Sequence, residues 1–406
     1  MRLPAEVRIG KNTVRVLFVH SGADLYGASR SLLRITTRLH ADGHDVIVVL
    51  PYDGPLRTRL EETGIATVVQ TSLPVVTRPS VQGAKSVARL LRDIPASYFS
   101  LCGLARKFRP DVLHTNTALI LTSGLVARAL RIPHVWHVRE FFSEFPRLWR
   151  FYQWYMYVLA DEILCISKAV TDQFHPHIRQ TKIRVLYNGI PENEFRVPSR
   201  LRVETFRNRF DLNNHFVVGV VGRIKFGRKG QDVVVRAARQ LCPKYPHLRF
   251  VFVGTPFPGN EGHLQDLQAM VKEYGLEDRV IFAGESEDMP VTYAAFDVSL
   301  MPSALPEPFG NVVAESMAMQ KAVVGTRIGG IAEQIEDGVN GLLVEPNHPG
   351  AMASAIEHLL NDEVLRRRLE ENGRARFLER FEFEAFFKNL IAIYHSVLRP
   401  ERASHA

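Results

Sequence analysis

Two carboxylates, Glu307 and Glu315, stand eight residues apart around Pro308-Phe309-Gly310-Asn311-Val312. Pro306 and Pro308 stiffen the approach and Gly310 permits a tight bend. The residues after it predict a helix that carries Glu315. The amides of Gly310, Asn311 and Val312 would then open that helix, where backbone donors and the helix dipole favour an anion. A phosphate there, with carboxylates ready to accept from hydroxyls, is the chemistry of a nucleotide-sugar site. Glu315, one turn into the helix, suits ribose hydroxyls; Glu307, ahead of it, lies nearer the sugar. Two cations add to this. Arg223 and Lys229 sit in the loop Gly222-Arg223-Ile224-Lys225-Phe226-Gly227-Arg228-Lys229-Gly230. Such a pair could neutralise a diphosphate and stabilise it as a leaving group. In the first half, His137 lies at the end of an apolar strand pattern, with Arg139 and Glu140 beside it.

These residues need an α/β framework to hold them. Residues 14–20 read as a buried strand, the small-residue loop 21–29 follows, residues 30–40 have helical spacing, and Asp45–Leu50 closes a βαβ unit. Loops at the carboxyl ends of parallel strands are where ligands bind in open sheets. The first loop lacks GxGxxG, so it predicts no dinucleotide cofactor. Alternation continues through strands at 67–70, 111–115, 134–138, 162–167 and 183–187. Asn188-Gly189 predicts a turn with left-handed backbone. Residues 190–205 are proline-punctuated and polar, which places the domain boundary there. A second set runs from the strand at 216–221 to the one at 322–326 and on through helices at 351–360 and 363–380. We therefore expect an N-terminal acceptor-side domain over 1–198 and a nucleotide-sugar domain over 199–382. A terminal helix and tail over 383–406 would pack back on the first domain.

Charge and composition narrow the partners. The 406-residue chain is 46% hydrophobic and 23% charged, with net charge +8, an ordinary globular composition. Residues 1–200 hold 27 Lys/Arg against 16 Asp/Glu, a net +11, and the remainder 24 against 27, a net −3. A basic first half points to anionic partners. Its charge is spread over helices rather than gathered in a nucleic-acid motif, so no nucleic-acid partner is expected. Residues 141–157 hold nine aromatics with Arg147 and Arg150 among them, more than one helix face needs. This reads either as a helix packed on the sheet or as an amphipathic surface toward membrane or a lipid acceptor. Cys102, Cys165 and Cys242 are scattered and suit a reducing compartment. Met1-Arg2 leads into polar sequence rather than an apolar leader. We expect a cytoplasmic protein, peripheral at the inner face of the plasma membrane. There is no Asp-x-Asp and no His/Cys cluster, so no metal site and no cofactor are expected.

Glu307 and Glu315 form an E-x7-E pair that resembles the one in retaining glycosyltransferases with two facing Rossmann-like domains (the GT-B architecture). More narrowly, the chain is similar to glycosyltransferase family four. The Gly222-Arg223 to Lys229-Gly230 block resembles that family's phosphate-gripping loop. Gly329-Gly330-Ile331-Ala332-Glu333, Asp337-Gly338 and Asn340-Gly341-Leu342-Leu343-Val344 resemble its C-terminal signature. The likeness is closest in the second half. It implies that Arg223 and Lys229 bind the donor diphosphate and Glu315 the ribose. Glu307 would meet the sugar hydroxyls, and Phe309, Gly310, Asn311 and Val312 would supply backbone amides. By the same likeness His137 is the active-site histidine near the transferred sugar or acceptor. Gly27 could let backbone approach a phosphate, although Tyr26-Gly27-Ala28-Ser29-Arg30 departs from the Gly-Gly and Ala-Glu-Arg pattern common in the family. The base should meet Gly254 and the loop 284–289, including Glu285 and Met289.

The expected activity is retaining, metal-independent transfer from a nucleotide diphosphate sugar to a hydroxyl acceptor. A lipid-linked acceptor in cell-surface polysaccharide or glycolipid synthesis fits the basic, aromatic first half. A nucleotide-sugar epimerase, a phosphorylase of the same architecture and an inactive nucleotide-sugar-binding protein are the alternatives.

Overall fold

A computed structural model describes residues 13–77, 80, 83–142 and 146–398. Contacts divide the chain into two compact units, one through Leu186 together with residues from Phe387 on, the other Tyr187–Phe386. Each is an α/β unit built on one parallel sheet.

In the first unit the strands are β1 (Arg15–Val19), β2 (Asp45–Leu50), β3 (Ala66–Val69), β4 (Val112–Thr115), β5 (His134–Val138), β6 (Glu162–Cys165) and β7 (Ile183–Val185). Their order is β3-β2-β1-β4-β5-β6-β7. Strand β1 pairs with β2 through Val16↔Val46 and with β4 through Val16↔Val112. Val16, Leu17, Phe18 and Val19 are all inaccessible, as expected for a sheet covered on both faces, which is why β1 reads as an unbroken apolar run. The chain winds outward from β1 in both directions, so the order reverses between β1 and β4. That switch leaves a crevice at the strands' carboxyl ends.

The second unit repeats the plan with β8 (Phe216–Val221), β9 (Leu248–Val253), β10 (Val280–Gly284), β11 (Val298–Met301), β12 (Ala322–Thr326) and β13 (Leu342–Val344). Their order is β10-β9-β8-β11-β12-β13, with the switch between β8 and β11. Val218, Val220, Phe250, Phe252, Leu300 and Val324 fill its core against the helices Gln231–Leu241 and Pro349–Asn361.

The units divide at Leu186/Tyr187 rather than 198/199. The polar segment after β7 is already tied into the second unit. Tyr187 Oη donates to Glu333 Oε2 (3.0 Å), Ile190 N to Phe381 O (2.9 Å), and the Phe195 ring lies 6.2 Å from that of Tyr293. Asn188 and Gly189 are not in the left-handed region expected of them. Glycine is needed at 189 for space, because a Cβ would come 2.6 Å from Phe386 Cβ. The last helix, Phe383–Leu398, returns to the first unit, where Tyr394 Oη meets His114 Nδ1 at 2.8 Å and Arg38 lies over the Phe387 ring.

The aromatic stretch is partly packed and partly exposed. On the helix Pro146–Leu159, Trp149, Tyr152 and Met156 are buried. Tyr152 Oη donates to Ala118 O (2.7 Å) and Trp149 Nε1 to Gln173 O (2.7 Å). Arg147, Leu148, Arg150, Phe151, Trp154 and Val158 are exposed on the same helix. Phe145 lies outside the described residues. Among the described residues no helix is long and apolar enough to cross a membrane.

Candidate functional site

Within the second unit, the residues singled out by type and spacing gather at the carboxyl end of its sheet. Arg223 and Lys229 follow β8, Gly254 follows β9, Glu285 follows β10, and Glu307 through Gly310 lie in the loop after β11. Lys229 Nζ lies 2.6 Å from Glu307 Oε1, and Ser303 Oγ donates to that oxygen at 3.0 Å. The two loops are also joined by backbone, with Ala304 N donating to Arg228 O (3.0 Å). Arg223 is half-buried, its guanidinium 5.0 Å from the Phe257 ring centroid, in the loop after β9.

Gly310 caps the helix Asn311–Ala318 at φ +86°, the left-handed conformation glycine adopts without cost. The first amides of that helix lack intrahelical acceptors and point toward its N-terminal end. Asn188 Nδ2 donates to Asn311 Oδ1 (3.0 Å), and Gln334 Nε2 donates to Phe309 O (2.5 Å). Phe309 is buried beside the Tyr187 and Phe381 rings. Gly329 and Gly330 lie directly against the turn, with Gly330 N donating to Glu307 O at 2.8 Å. Glu315 faces inward and is buried, and Oε2 accepts from Tyr293 Oη at 2.7 Å. Gly254 N donates to Gly284 O (2.7 Å), and Thr255 Oγ1 to Glu285 Oε1 (2.6 Å). Met289 opens the helix Met289–Ala294, and Val312 is half-buried in the first turn of its own helix.

The structure therefore joins Lys229 directly to Glu307, and Gly254 to the loop that carries Glu285. Gly27 and His137 belong to the first unit. Gly27 opens the helix Gly27–Ala41, where Asp24 Oδ1 accepts from Tyr26 N (2.9 Å) and Ser29 Oγ (3.1 Å). His137 is inaccessible in β5. Burial holds its imidazole well below the ordinary histidine range, helped by the Arg139 cation and then His114. Arg139 is itself buried, which lowers its pKa to about 10. Glu140 accepts from Thr117 Oγ1 (2.6 Å) and from the amides of Ala118 and Arg139 (both 3.0 Å), while burial raises its pKa. Among the described residues no group of three acidic, histidine or cysteine side chains could hold a metal ion.

Sequence reasoning did not find Tyr293, Ser303, Gln334, His20 or Asn116, and assigned Asn188 only a turn. Apart from Ser303, which lies four residues from Glu307, each acts through a contact between segments far apart in the chain, so no local spacing marks it. Adjacency to strand ends is the one available signal, and it applies to His20, Asn116 and Ser303.

Residues 203–376 match the family described as Glycosyl transferases group 1, and residues 26–194 match Glycosyltransferase Family 4. The chain is 26% identical to the Anabaena protein HepE, solved in complex with UDP and glucose. That alignment covers 94% of this chain and 100% of that one, with a TM-score of 0.79. It is 25% identical to the capsular polysaccharide biosynthesis glycosyltransferase CapM of Staphylococcus aureus, over 73% of this chain and 79% of that protein. It is 28% identical to the N-acetyl-alpha-D-glucosaminyl L-malate synthase of Bacillus anthracis, over 60% of this chain and 61% of that enzyme.

Proposed function

This chain belongs to the glycosyltransferases of GT-B architecture, resembling family four, and from that premise we propose retaining transfer of a sugar from a nucleotide diphosphate sugar to a hydroxyl acceptor. The observation that carries the proposal is the Lys229–Glu307 pair beside the helix that begins at Asn311, with Glu315 buried one turn along. The helix N-terminus, Arg223 and Lys229 supply positive potential for a diphosphate, and Glu315 accepts from ribose hydroxyls. HepE has been solved with UDP-glucose, which supports a nucleotide sugar of that kind here.

Glu307, the carboxylate on the sugar side, is engaged by Lys229 and Ser303, which favours front-face attack over a covalent intermediate. In that step the acceptor oxygen bonds to the anomeric carbon as the bond to the diphosphate oxygen breaks. The acceptor's proton passes to the departing diphosphate, whose growing charge Arg223 and Lys229 stabilise. These two cations do the charge neutralisation for which a metal would otherwise be needed.

For the acceptor we propose a lipid-linked glycan at an anionic membrane surface on the cytoplasmic side. Support comes from the exposed Leu148, Phe151 and Val158 with Arg147 and Arg150 on one helix, and from the likeness to CapM. The test is incubation with nucleotide diphosphate sugars, following nucleotide release and the anomeric proton of the product by NMR. Release that requires an acceptor, with configuration kept, supports the proposal. Inversion, epimerised donor without acceptor, or a requirement for free phosphate overturns it.

A further inference from the structure

Three neighbouring strand ends of the first unit are joined by a hydrogen-bond chain whose direction is fixed by chemistry. Arginine only donates. Arg139 Nη2 lies 3.3 Å from His137 Nδ1, and Arg139 Nε donates to Asn116 Oδ1 at 3.1 Å. That fixes the orientation of the Asn116 amide, whose Nδ2 can only donate and reaches His20 Nδ1 (3.3 Å) and Ala28 O (3.4 Å). His20 Nδ1 is thereby an acceptor, so its proton lies on Nε2, which meets Ser29 Oγ at 3.1 Å. Ser29 Oγ donates onward to Asp24 Oδ1 (3.1 Å). His20, Asn116, His137 and Arg139 are all buried. A cation stands at one end, a carboxylate in the first loop at the other, and neutral groups connect them.

We propose that Arg139 and Asn116 are positioning residues, which hold His137 as its neutral Nε2–H tautomer and tie it to the first loop at Asp24. The orphaned end of His137 is what makes this a device rather than packing. Nε2 is buried with no hydrogen-bond partner among the described residues. A buried polar atom left unsatisfied needs a reason, and the carboxyl ends of parallel strands are where ligands bind in open sheets. The fixed tautomer presents a donor there, suited to a sugar hydroxyl oxygen and not to a cation. The neutral state is supported by burial and by Arg139, which lower His20 to about 4 and His137 in the same direction. His114, whose ring centroid is 5.5 Å from that of His137, is held separately by Tyr394. Asp24 also accepts from Tyr26 N, so the chain ends in the turn that sets the start of the helix Gly27–Ala41.

The kinetic consequence rests on the reading of His137 as a contact of the transferred sugar; the tautomer does not. The test therefore has two arms on the full-length chain. Nitrogen-15 histidine labelling gives ring correlations at pH 7.5, assigned with His20→Gln and His137→Gln. Both rings are expected neutral with the proton on Nε2. In Asn116→Asp the replacement carboxylate cannot donate, so His20 should move its proton to Nδ1 while His137 keeps Nε2–H. In Arg139→Met His137 should lose its fixed tautomer, and Arg139→Lys, still donor-only, should keep it. The kinetic arm expects Arg139→Met to lower kcat by up to about 100-fold with donor KM little changed. A protonated or Nδ1–H His137 in the parent, or an unmoved His20 in Asn116→Asp, overturns the proposal. If Arg139→Met does not fold, Asn116→Asp and Arg139→Lys decide it. Expected tautomers in a chain that transfers no sugar support the relay and sink the proposed function instead.

Discussion

Lys229 Nζ sits 2.6 Å from Glu307 Oε1, so the loop after β8 and the loop after β11 are held by one ion pair at the carboxyl end of the second sheet. The same carboxylate oxygen accepts from buried Ser303. Lys229 thus fixes Glu307 while adding charge where a diphosphate would lie. Lys229→Ala removes both effects and should lower kcat/KM by about 10²–10³, the usual loss for one preorganised electrostatic contact. Steady-state kinetics with the nucleotide sugar check this, and full activity would end the diphosphate assignment.

Tyr293→Phe isolates the support under Glu315. Tyr293 is inaccessible and its hydroxyl donates to Glu315 Oε2 at 2.7 Å. Its removal leaves a buried carboxylate one partner short, a loss of about 1.5–3 kcal/mol for a bond to a charged group. Urea unfolding should show that decrease, and donor KM should rise more than kcat falls. Unchanged stability together with unchanged KM would mean that Tyr293 does not orient the carboxylate.

Gly329→Ala should disturb Glu307 from behind. Gly329 has φ +56°, and an added Cβ would come 2.8 Å from Glu307 N and closer still to its carbonyl oxygen. Backbone strain and this collision act together, so a loss of about 1 kcal/mol or more is expected. Calorimetry should find a lower Tm and donor titration a weaker Kd. A variant with the parent's values of both would show that the turn tolerates displacement.

The first unit should weaken in mild acid. Burial lowers His20 and His134 to about 4 from 6.5. Between those values the unfolded chain binds protons that the folded unit refuses, so stability rises with pH from about 4 to 6.5 and levels off above. Each group accounts for on the order of 3 kcal/mol across that window. All three tryptophans, Trp136, Trp149 and Trp154, lie in this unit, so their fluorescence reports on it alone. A urea midpoint that stays the same at pH 5 and pH 7.5 would contradict the burial of these rings in neutral form.

Phe151 and Val158 are 74% and 65% exposed, so replacing both with Ser should leave the Tm within about 1 °C of the parent, as surface changes usually do. Flotation with anionic vesicles should nevertheless fall several-fold, and the parent should float less on neutral vesicles. Equal recovery on both vesicle types, or none, would remove the membrane from the proposed acceptor reading.

The local pattern of the chain determined the two parallel α/β units. A buried parallel strand must be apolar along its length, and each helix must show its own period, so both are legible without neighbours. The same holds for the turn at Gly310, where the φ required and the helix behind it belong to adjacent residues. Arg223 and Lys229 could be named because they stand in a glycine-rich loop after a strand, and Glu307 and Glu315 because they flank a turn that opens a helix. Tertiary structure alone decided that Lys229 pairs with Glu307, that Tyr293 holds Glu315, and that Asn188 serves the helix at Asn311 rather than a left-handed turn. It also decided which aromatics of residues 146–159 are buried, and that Arg139, Asn116, His20 and Asp24 form one directed chain. For the contacts made at strand ends the physical reason is shared. A hydrogen bond or ion pair between strand ends depends on the order of strands in the sheet, and neighbouring strands such as β1 and β4 are separated by most of a hundred residues of chain.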